Sequence, residues 1–164
     1  MKQLWAPWRS RYIESLHNSK KGCEFCRIEK QNQDDKTFIV SRHEYNYVVL
    51  NIYPYNNGHL LIVPYEHAND TTVLPPETLN EMMQLIQYTM KVLKNVFSPA
   101  GFNVGLNIGA AAGAGIAEHV HFHIVPRWQG DTNFLPVLGE TKLISHDLKE
   151  TYEKVKSEFR KIVP

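Results

Sequence analysis

The chain has 164 residues, 43% of them hydrophobic, and a formal net charge of +1. This length suits one domain with a core of its own. The near-neutral charge argues against bulk electrostatic binding to nucleic acid or to a membrane surface, although a small anionic ligand needs only local donors. We find neither a signal-peptide run nor the ~20 apolar residues of a membrane span, so we expect a cytoplasmic protein.

The first third of the chain predicts an arm followed by a meander of strands. Residues 1–22 are rich in aromatic and basic side chains and are interpreted as an arm that docks on the body of the protein. Alternating Val, Ile and aromatic residues predict strands over residues 37–41, 45–51 and 59–63. The sequence YPYNNG, residues 53–58, supplies the turn between the second strand and the third.

The middle of the chain changes to a helical period. Apolar residues recur at three- and four-residue steps after Pro75, and SPAG at 98–101 ends the pattern. The methionines in this stripe could line a ligand groove, but a face packed on the core is the preferred interpretation. The stripe comprises Leu79, Met82, Met83, Ile86, Met90, Leu93 and Phe97.

Two further elements complete the predicted architecture. A strand is expected over residues 102–107, and a second amphipathic helix runs from Leu148 to Ile162. That helix covers either its own domain or a second subunit. The order of elements predicts an α+β fold with an antiparallel sheet. The main domain is assigned to residues 23–134, followed by a loop and helix over 135–164.

Three histidines alternate within AEHVHFHIVPRW, residues 117–128. On a strand His119, His121 and His123 would share one face, with an apolar set of Val120, Phe122 and Ile124 behind them. Pro126 is expected to end the strand because it cannot donate a ladder hydrogen bond. The plain alternative is that the three rings form the polar face of an edge strand.

A glycine-rich run, NIGAAAGAG at 107–115, leads into the histidines. Such a loop can turn backbone N–H groups toward phosphate oxygens. An imidazole that is neutral near pH 7 can attack phosphorus, while protonated neighbours stabilise the developing charge. The two features together indicate chemistry on a phosphorylated ligand.

These residues resemble the histidine triad superfamily of nucleotide hydrolases and transferases. HVHFH followed by IVP matches its signature, and VVLN, NNGHLLIVP and NIGAAAG occur in the order typical of the family. LWAPWR and HIVPRWQGDTNF look like the bacterial branch that cleaves diadenosine polyphosphates, close to the fragile histidine triad hydrolases and the diadenosine tetraphosphate phosphorylases. The resemblance implies a HIT-like fold with a five-stranded sheet, one long helix and a carboxy-terminal helix. It also implies a homodimer whose sheet continues across the subunits.

The resemblance assigns roles to individual residues. His121 is expected to attack the α-phosphorus and to hold an adenylyl group as a phosphoramidate, with His123 and His59 lining the phosphate site. Asn51 falls where the family binds the ribose. The remaining expected substrate contacts are Asn107, the backbone N–H groups of Ala114 and Gly115, and His119.

One position departs from the phosphorylase pattern. Those relatives typically carry a serine three residues before the Glu-His pair, whereas this chain has Gly115. A glycine offers only a main-chain donor to inorganic phosphate. The acceptor in the second step is therefore left open between water and phosphate.

A Cys-x-x-Cys pair, Cys23 and Cys26, permits three interpretations: a redox pair, half of a zinc site or two incidental thiols. The redox interpretation lacks the expected βαβ context. Some bacterial members of the superfamily bind zinc, and the resemblance implies that His67 and His119 complete the ligand set, with His43 as a rival for the third place. Such a zinc would be structural, because protein ligands fill all four positions. No organic cofactor is expected.

The predicted function is cleavage of diadenosine tri- or tetraphosphate through a covalent histidine–AMP intermediate. The expected partner is a small nucleotide substrate. Nucleoside phosphoramidase or nucleotidyltransferase activity is the rival within the superfamily. A nucleotide-binding or zinc-stabilised module without turnover is the rival from another class.

Overall fold

The computed structural model describes residues 22–131, 144 and 146–163. Within them, five strands form one antiparallel sheet in the order β1-β2-β3-β5-β4. The strands are β1 (Ile39–Arg42), β2 (Asn46–Leu50), β3 (Leu60–Pro64), β4 (Gly101–Leu106) and β5 (Phe122–Arg127). The predicted α+β fold with a five-stranded antiparallel sheet is confirmed.

Four helices and two single 3-10 turns accompany the sheet in the described residues. The helices are α1 (Glu24–Lys30), α2 (Asp34–Thr37), α3 (Pro76–Phe97) and α4 (Leu148–Ile162), and the 3-10 turns are Thr71–Val73 and Ala110–Ala112. The sequence did not predict α1 or α2. Thr37, expected to begin a strand, ends α2 instead, and Phe38 follows it with a left-handed φ of 60°. The first strand therefore begins two residues later than predicted.

One face of the sheet packs against α3 and α4. Leu60, Ile62 and Ile124 from the sheet meet Leu85 and Leu93 from α3 in one buried cluster. The interpretation of the α3 stripe as a packing face is confirmed, with one exception. Met83 is 55% exposed, because the position after Met82 lies about 100° further round the helix.

The opposite face of the sheet carries the histidines. Leu61 pairs with His123 across β3 and β5, and directly paired residues point to the same side of a sheet. Leu61 belongs to a second buried cluster with Tyr47, Val63 and Phe25 of α1. The short helix α1 thus covers the sheet on the side where His123 lies.

The carboxy-terminal helix covers its own domain. Tyr152, Val155 and Phe159 of α4 are buried in the same cluster as the α3 contacts. The Tyr152 hydroxyl donates a hydrogen bond of 3.1 Å to the Ile39 carbonyl at the start of β1. The apolar stripe of α4 therefore packs against the core of its own subunit.

Two details of the histidine strand differ from the prediction. The strand starts at Phe122, so His119 and His121 precede it, and it continues through Pro126, which pairs with Phe102 of β4. Pro126 does not end the strand because the pairing between β3 and β5 ends at Ile124, which leaves Pro126 without a ladder partner on that side. The Pro126 carbonyl accepts a hydrogen bond from the Asn56 side chain instead.

Some predictions fall beyond these observations. No described helix is long and apolar enough to cross a bilayer, and the cytoplasmic location stays a prediction. The arm assigned to residues 1–22 lies outside the described residues except for Gly22. The domain boundaries likewise stay predictions.

Candidate active site

The ring of His121 is held in one orientation beside β5. Its side chain is buried, with 5% exposure, and its Nδ1 lies 2.8 Å from the His119 carbonyl oxygen. A carbonyl oxygen can only accept, so Nδ1 carries the hydrogen and the neutral ring has its lone pair on Nε2. The Phe25 ring packs at 4.8 Å between centroids, and the His123 ring at 4.7 Å. This arrangement fixes Nε2 as the basic, nucleophilic atom.

A chain of hydrogen bonds assigns the tautomers of His59 and His123. The backbone N–H of Tyr55 donates to Nδ1 of His59 over 3.0 Å, so the hydrogen of the neutral His59 ring is on Nε2. That Nε2–H donates to Nδ1 of His123 over 3.0 Å. The hydrogen of His123 is therefore on its own Nε2. His123 thus retains one N–H group that can donate to a substrate oxygen.

Burial keeps these rings neutral. Burial, followed by the nearby His123 and His121, lowers the pKa of His59 to about 3. Burial followed by His121 lowers the pKa of His123 to about 4. The pKa of His121 is also lowered by burial, against the opposing effect of the His119 carbonyl. The expected protonated neighbours are therefore absent from these rings near pH 7, and the rings act as neutral donors and acceptors.

We expect this burial to make the protein acid-sensitive. His59 binds a proton more readily in the unfolded chain than in the fold, so the free energy of unfolding should fall as the pH drops from about 6.5 toward 3. The slope from His59 alone should be at most about 1.4 kcal/mol per pH unit. Urea unfolding at a series of pH values measures it. The slope should be shallower in His59→Gln, and identical slopes would contradict the prediction.

Asn51 lies at the edge of this histidine pair. Its Nδ2 is 3.2 Å from Nδ1 of His59, and its Oδ1 accepts the Tyr53 backbone N–H over 2.9 Å. Asn51 thus orders the start of the turn that precedes His59. Its expected contact with a ribose stays a prediction.

The turn over residues 53–58 is fastened to the end of β5. The buried Asn56 donates to the Pro126 carbonyl over 3.0 Å and to the Asp131 carboxylate over 2.8 Å. Arg127 binds both oxygens of the same carboxylate. Gly58 has a φ of 71°, and a Cβ there would lie 3.0 Å from the Phe97 ring, so this position favours glycine. These contacts hold the turn against the histidine pair.

The glycine-rich run forms a compact loop after β4. Leu106, the last residue of β4, pairs with Phe122, the first residue of β5. Asn107 and His121, the residues that adjoin this pair, therefore lie at the same end of the two strands. Gly109 and Gly113 have positive φ values of 80° and 89°. The Ala114 N–H donates to the Gly109 carbonyl over 3.4 Å, a long bond that a phosphate oxygen would have to replace. Gly115 is exposed, and the phosphate contacts expected of this loop stay predictions.

A group of four metal-ligating side chains lies next to Phe25, on the side of that ring where His119 lies. Cys23, Cys26, His67 and His119 bring one ligand atom each to within 4.8 Å of all the others. Nδ1 of His119 is 3.3 Å from the Cys23 Sγ, and Nδ1 of His67 is 3.4 Å from the Cys26 Sγ. The His119 Nε2–H donates to the Pro64 carbonyl, which leaves Nδ1 as the ligand atom. This Cys2His2 set could hold a metal ion.

His119 lies on the same side of the sheet as His121, because both rings contact Phe25, whereas Val120 between them is buried in the cluster on the helix-covered side. The alternation expected of the three histidines is therefore kept, although β5 itself begins only at Phe122. The His119 ring lies 5.1 Å from that of His67, so it is the ring of this row that belongs to the four-ligand group. His43 is not part of the four-ligand group, and its Nε2 contacts the Ser41 hydroxyl at 2.9 Å.

The fold agrees with the comparison to known families. A family model described as the HIT domain matches residues 32–130. The chain belongs to the HIT domain family. The resemblance inferred from the histidine signature is confirmed.

Named relatives of this HIT domain protein are nucleotide-processing enzymes. The AP-4-A phosphorylase of Mycobacterium tuberculosis is 38% identical over 166 residues, covering 97% of this chain and 85% of the relative. The adenosine 5'-monophosphoramidase HNT1 of Candida albicans is 30% identical over 149 residues, covering 88% of this chain and 95% of the relative. A zinc-bound histidine triad family protein from Mycobacterium smegmatis superposes with a TM-score of 0.69 at 26% identity, covering 85% of this chain and 94% of that one.

Sequence reasoning missed three residues of this region. Phe25 contacts the rings of both His119 and His121. Tyr55 contacts His59 and His123, and Asn56 fastens the turn that carries it. An aromatic residue inside Cys-x-x-Cys and another inside a turn next to His59 were visible signals, but their contacts join segments about 70 to 100 residues apart in the chain.

Proposed function

We propose that this HIT domain protein cleaves diadenosine tri- or tetraphosphate through a covalent intermediate on His121. The observation that carries the proposal is the 2.8 Å hydrogen bond from Nδ1 of His121 to the His119 carbonyl, which leaves the Nε2 lone pair for attack. The 38% identity to an AP-4-A phosphorylase supports the choice of substrate.

In the proposed first step, Nε2 of His121 attacks the α-phosphorus. The N–P bond forms as the bond from phosphorus to the bridging oxygen of the polyphosphate breaks. The departing oxygen accepts a hydrogen bond from the Nε2–H of His123, whose Nδ1 accepts from His59. The polyphosphate leaves as an anion that keeps the electron pair of the broken P–O bond, so no proton is transferred in this step.

In the proposed second step, water or inorganic phosphate attacks the same phosphorus and breaks the N–P bond. The electron pair of the N–P bond returns to Nε2 of His121, which restores the starting tautomer of that ring, and the proton lost by the acceptor passes to solvent. Water releases AMP, and phosphate releases ADP. Gly115 lacks a hydroxyl for seating phosphate, whereas the named relative is a phosphorylase, so both acceptors are retained.

A second candidate function uses the same intermediate with another leaving group. The relative from Candida albicans is named a monophosphoramidase, and the Nε2–H of His123 can hydrogen-bond to a departing nitrogen as it would to a departing oxygen. A nucleotidyltransferase would differ only in the acceptor. Product analysis distinguishes these activities.

We further propose that the four-ligand group binds zinc in a structural role. Two thiolates and two imidazoles are a ligand set typical of closed zinc sites. Burial raises the pKa of Cys23 to about 11, so a thiolate there requires a bound cation. Zinc would join α1, which carries Phe25, to the segment that carries the His119 carbonyl.

We propose a homodimer whose sheet continues across subunits. β4 is an edge strand, and its residues Asn103, Val104 and Gly105 are exposed. The other edge, β1, is contacted by α4 through Tyr152. An open edge with an exposed apolar residue is a natural site for strand pairing. Analytical ultracentrifugation measures the association, and a monomer at micromolar concentration would contradict it.

We expect purified protein to convert diadenosine tetraphosphate to ATP and a second nucleotide. In phosphate-free buffer that nucleotide should be AMP, and with phosphate as acceptor it should be ADP. Separation of AMP, ADP and ATP by ion-exchange chromatography, with and without phosphate, measures the split. Release of AMP from adenosine 5'-phosphoramidate alone would favour the second candidate. Absence of any product would exclude both activities.

A further inference from the structure

Tyr55 is an exposed aromatic ring in a turn that is otherwise tightly held. Its side chain is 51% exposed. Its backbone N–H is hydrogen-bonded to His59, and the next residue, Asn56, is fastened to Pro126 and Asp131. The backbone therefore cannot carry the ring away from the histidines without breaking these bonds.

One face of the Tyr55 ring is occupied by the histidines. It lies nearly parallel to the His123 ring, with an interplanar angle of 13° and 5.5 Å between centroids. The His59 ring lies at 4.6 Å and is tilted by 43°. Because these contacts take up one face and the residue is still 51% exposed, we infer that the opposite face is available to a ligand. A rigid aromatic face presented in this way can stack on a flat ligand group.

The rings of His121, His123 and Tyr55 follow one another in the direction in which the leaving group is expected to depart. His121 lies 4.7 Å from His123, and His123 in turn lies beside Tyr55. In-line attack by His121 expels the leaving group on the side away from its Nε2, where the His123 donor meets the departing oxygen. The leaving polyphosphate therefore passes the His123 ring, and among the described residues the aromatic face that follows is that of Tyr55.

We infer that Tyr55 stacks on the nucleobase of the leaving nucleotide and so gives the enzyme a preference for dinucleoside over mononucleoside polyphosphates. This inference rests on the proposed function. The purine base is flat and aromatic, and stacking of this kind tolerates different bases. Tyr55 would then act in substrate specificity, while His121, His123 and His59 carry the bond cleavage.

The test compares two substrates that share adenosine and four phosphates and differ only in the second adenosine. Diadenosine tetraphosphate has a distal adenosine, and adenosine 5'-tetraphosphate lacks it. The measured quantity is the ratio of kcat/KM for the first substrate to that for the second. Tyr55→Leu should lower this ratio about tenfold, whereas Tyr55→Phe and Tyr55→Trp should keep or increase it.

Tyr45→Leu is the matched control because Tyr45 precedes β2, at the end of that strand away from Asn51. It should leave the ratio unchanged. An equal loss on both substrates in Tyr55→Leu would mean that Tyr55 only supports the histidines, and this would overturn the inference. If Tyr55→Leu fails to fold, the ratio in Tyr55→Trp decides, because a lowered ratio there contradicts stacking.

A binding measurement separates this inference from the proposed function. Calorimetric titration of both nucleotides into His121→Ala requires no turnover. Adding Tyr55→Leu to that variant should weaken binding of diadenosine tetraphosphate about tenfold more than binding of adenosine 5'-tetraphosphate. Wild-type protein that binds both but cleaves neither would contradict the proposed function alone. Equal weakening for both nucleotides would contradict the role of Tyr55 alone.

Discussion

His121→Ala should lower kcat for diadenosine tetraphosphate by a factor on the order of 10⁴ or more, the scale of losses seen when a covalent nucleophile is removed from other hydrolases. The reason is that Nε2 of His121 is the nucleophilic atom that the His119 carbonyl leaves without a hydrogen. Nucleotide binding should be largely kept, since alanine removes neither His123 nor the turn before His59. Steady-state kinetics with a sensitive assay for ATP release measures the loss.

His43→Ala is the matched control for this substitution. His43 is half-buried and bonded to Ser41, outside the group of rings around His121, so turnover should be close to that of the wild type. Quenching wild-type protein during turnover should also reveal an acid-labile adenylyl group on His121 by mass spectrometry. Residual turnover near the wild-type rate in His121→Ala would end the proposed mechanism.

Cys26→Ser should remove the bound metal and destabilise the fold. We expect about one zinc per chain in the wild type and little in the variant, by elemental analysis. When the metal is in excess, a hundredfold loss of affinity for it lowers the free energy of unfolding by about 2.7 kcal/mol. In a domain of this length, such a loss lowers Tm by roughly 5–10 °C. Turnover should fall as well, because Phe25 and the His119 carbonyl, which hold the His121 ring, both belong to segments that the metal would join.

Two comparisons isolate the contribution of the metal. His43→Ala should keep its zinc, since His43 lies outside the four-ligand group. Chelation of the wild type should reproduce the lower Tm of Cys26→Ser, and chelation of Cys26→Ser should add little. Wild-type protein that is metal-free as purified and keeps the same Tm in chelator would rule out the zinc.

The elements with a long period were predictable from the sequence. The α3 pattern extends over six turns, and the α4 pattern from Leu148 to Ile162 matches the observed helix at both ends. The seven residues of α1 are too few for a periodic stripe, and only Phe25 is buried there. Its helical form follows from tertiary contacts, which no local pattern reveals.

The site was predictable as a set of residues but less so as a geometry. The alternation correctly put His119, His121 and His123 on one side of the sheet, but it did not show that the His119 ring joins the four-ligand group while the other two rings contact each other. His67, and not its rival His43, lies within ligand distance of the two cysteines and His119, and this depends on how distant segments of the chain meet in the fold. Tautomers depend on carbonyl and backbone partners such as those at His119 and Tyr55, and these carry no signal in the side-chain sequence.

The hydrogen bond from Tyr152 to Ile39 has a consequence for biosynthesis. It joins residues 113 positions apart, and α4 also buries Phe159 against the sheet side that α3 covers. Contacts between such distant residues are slow to form. On the ribosome, the apolar side of β1 therefore lacks the contacts of α4 until that helix has emerged from the exit tunnel. During that interval we expect Val40 of the nascent chain to be accessible to a chaperone.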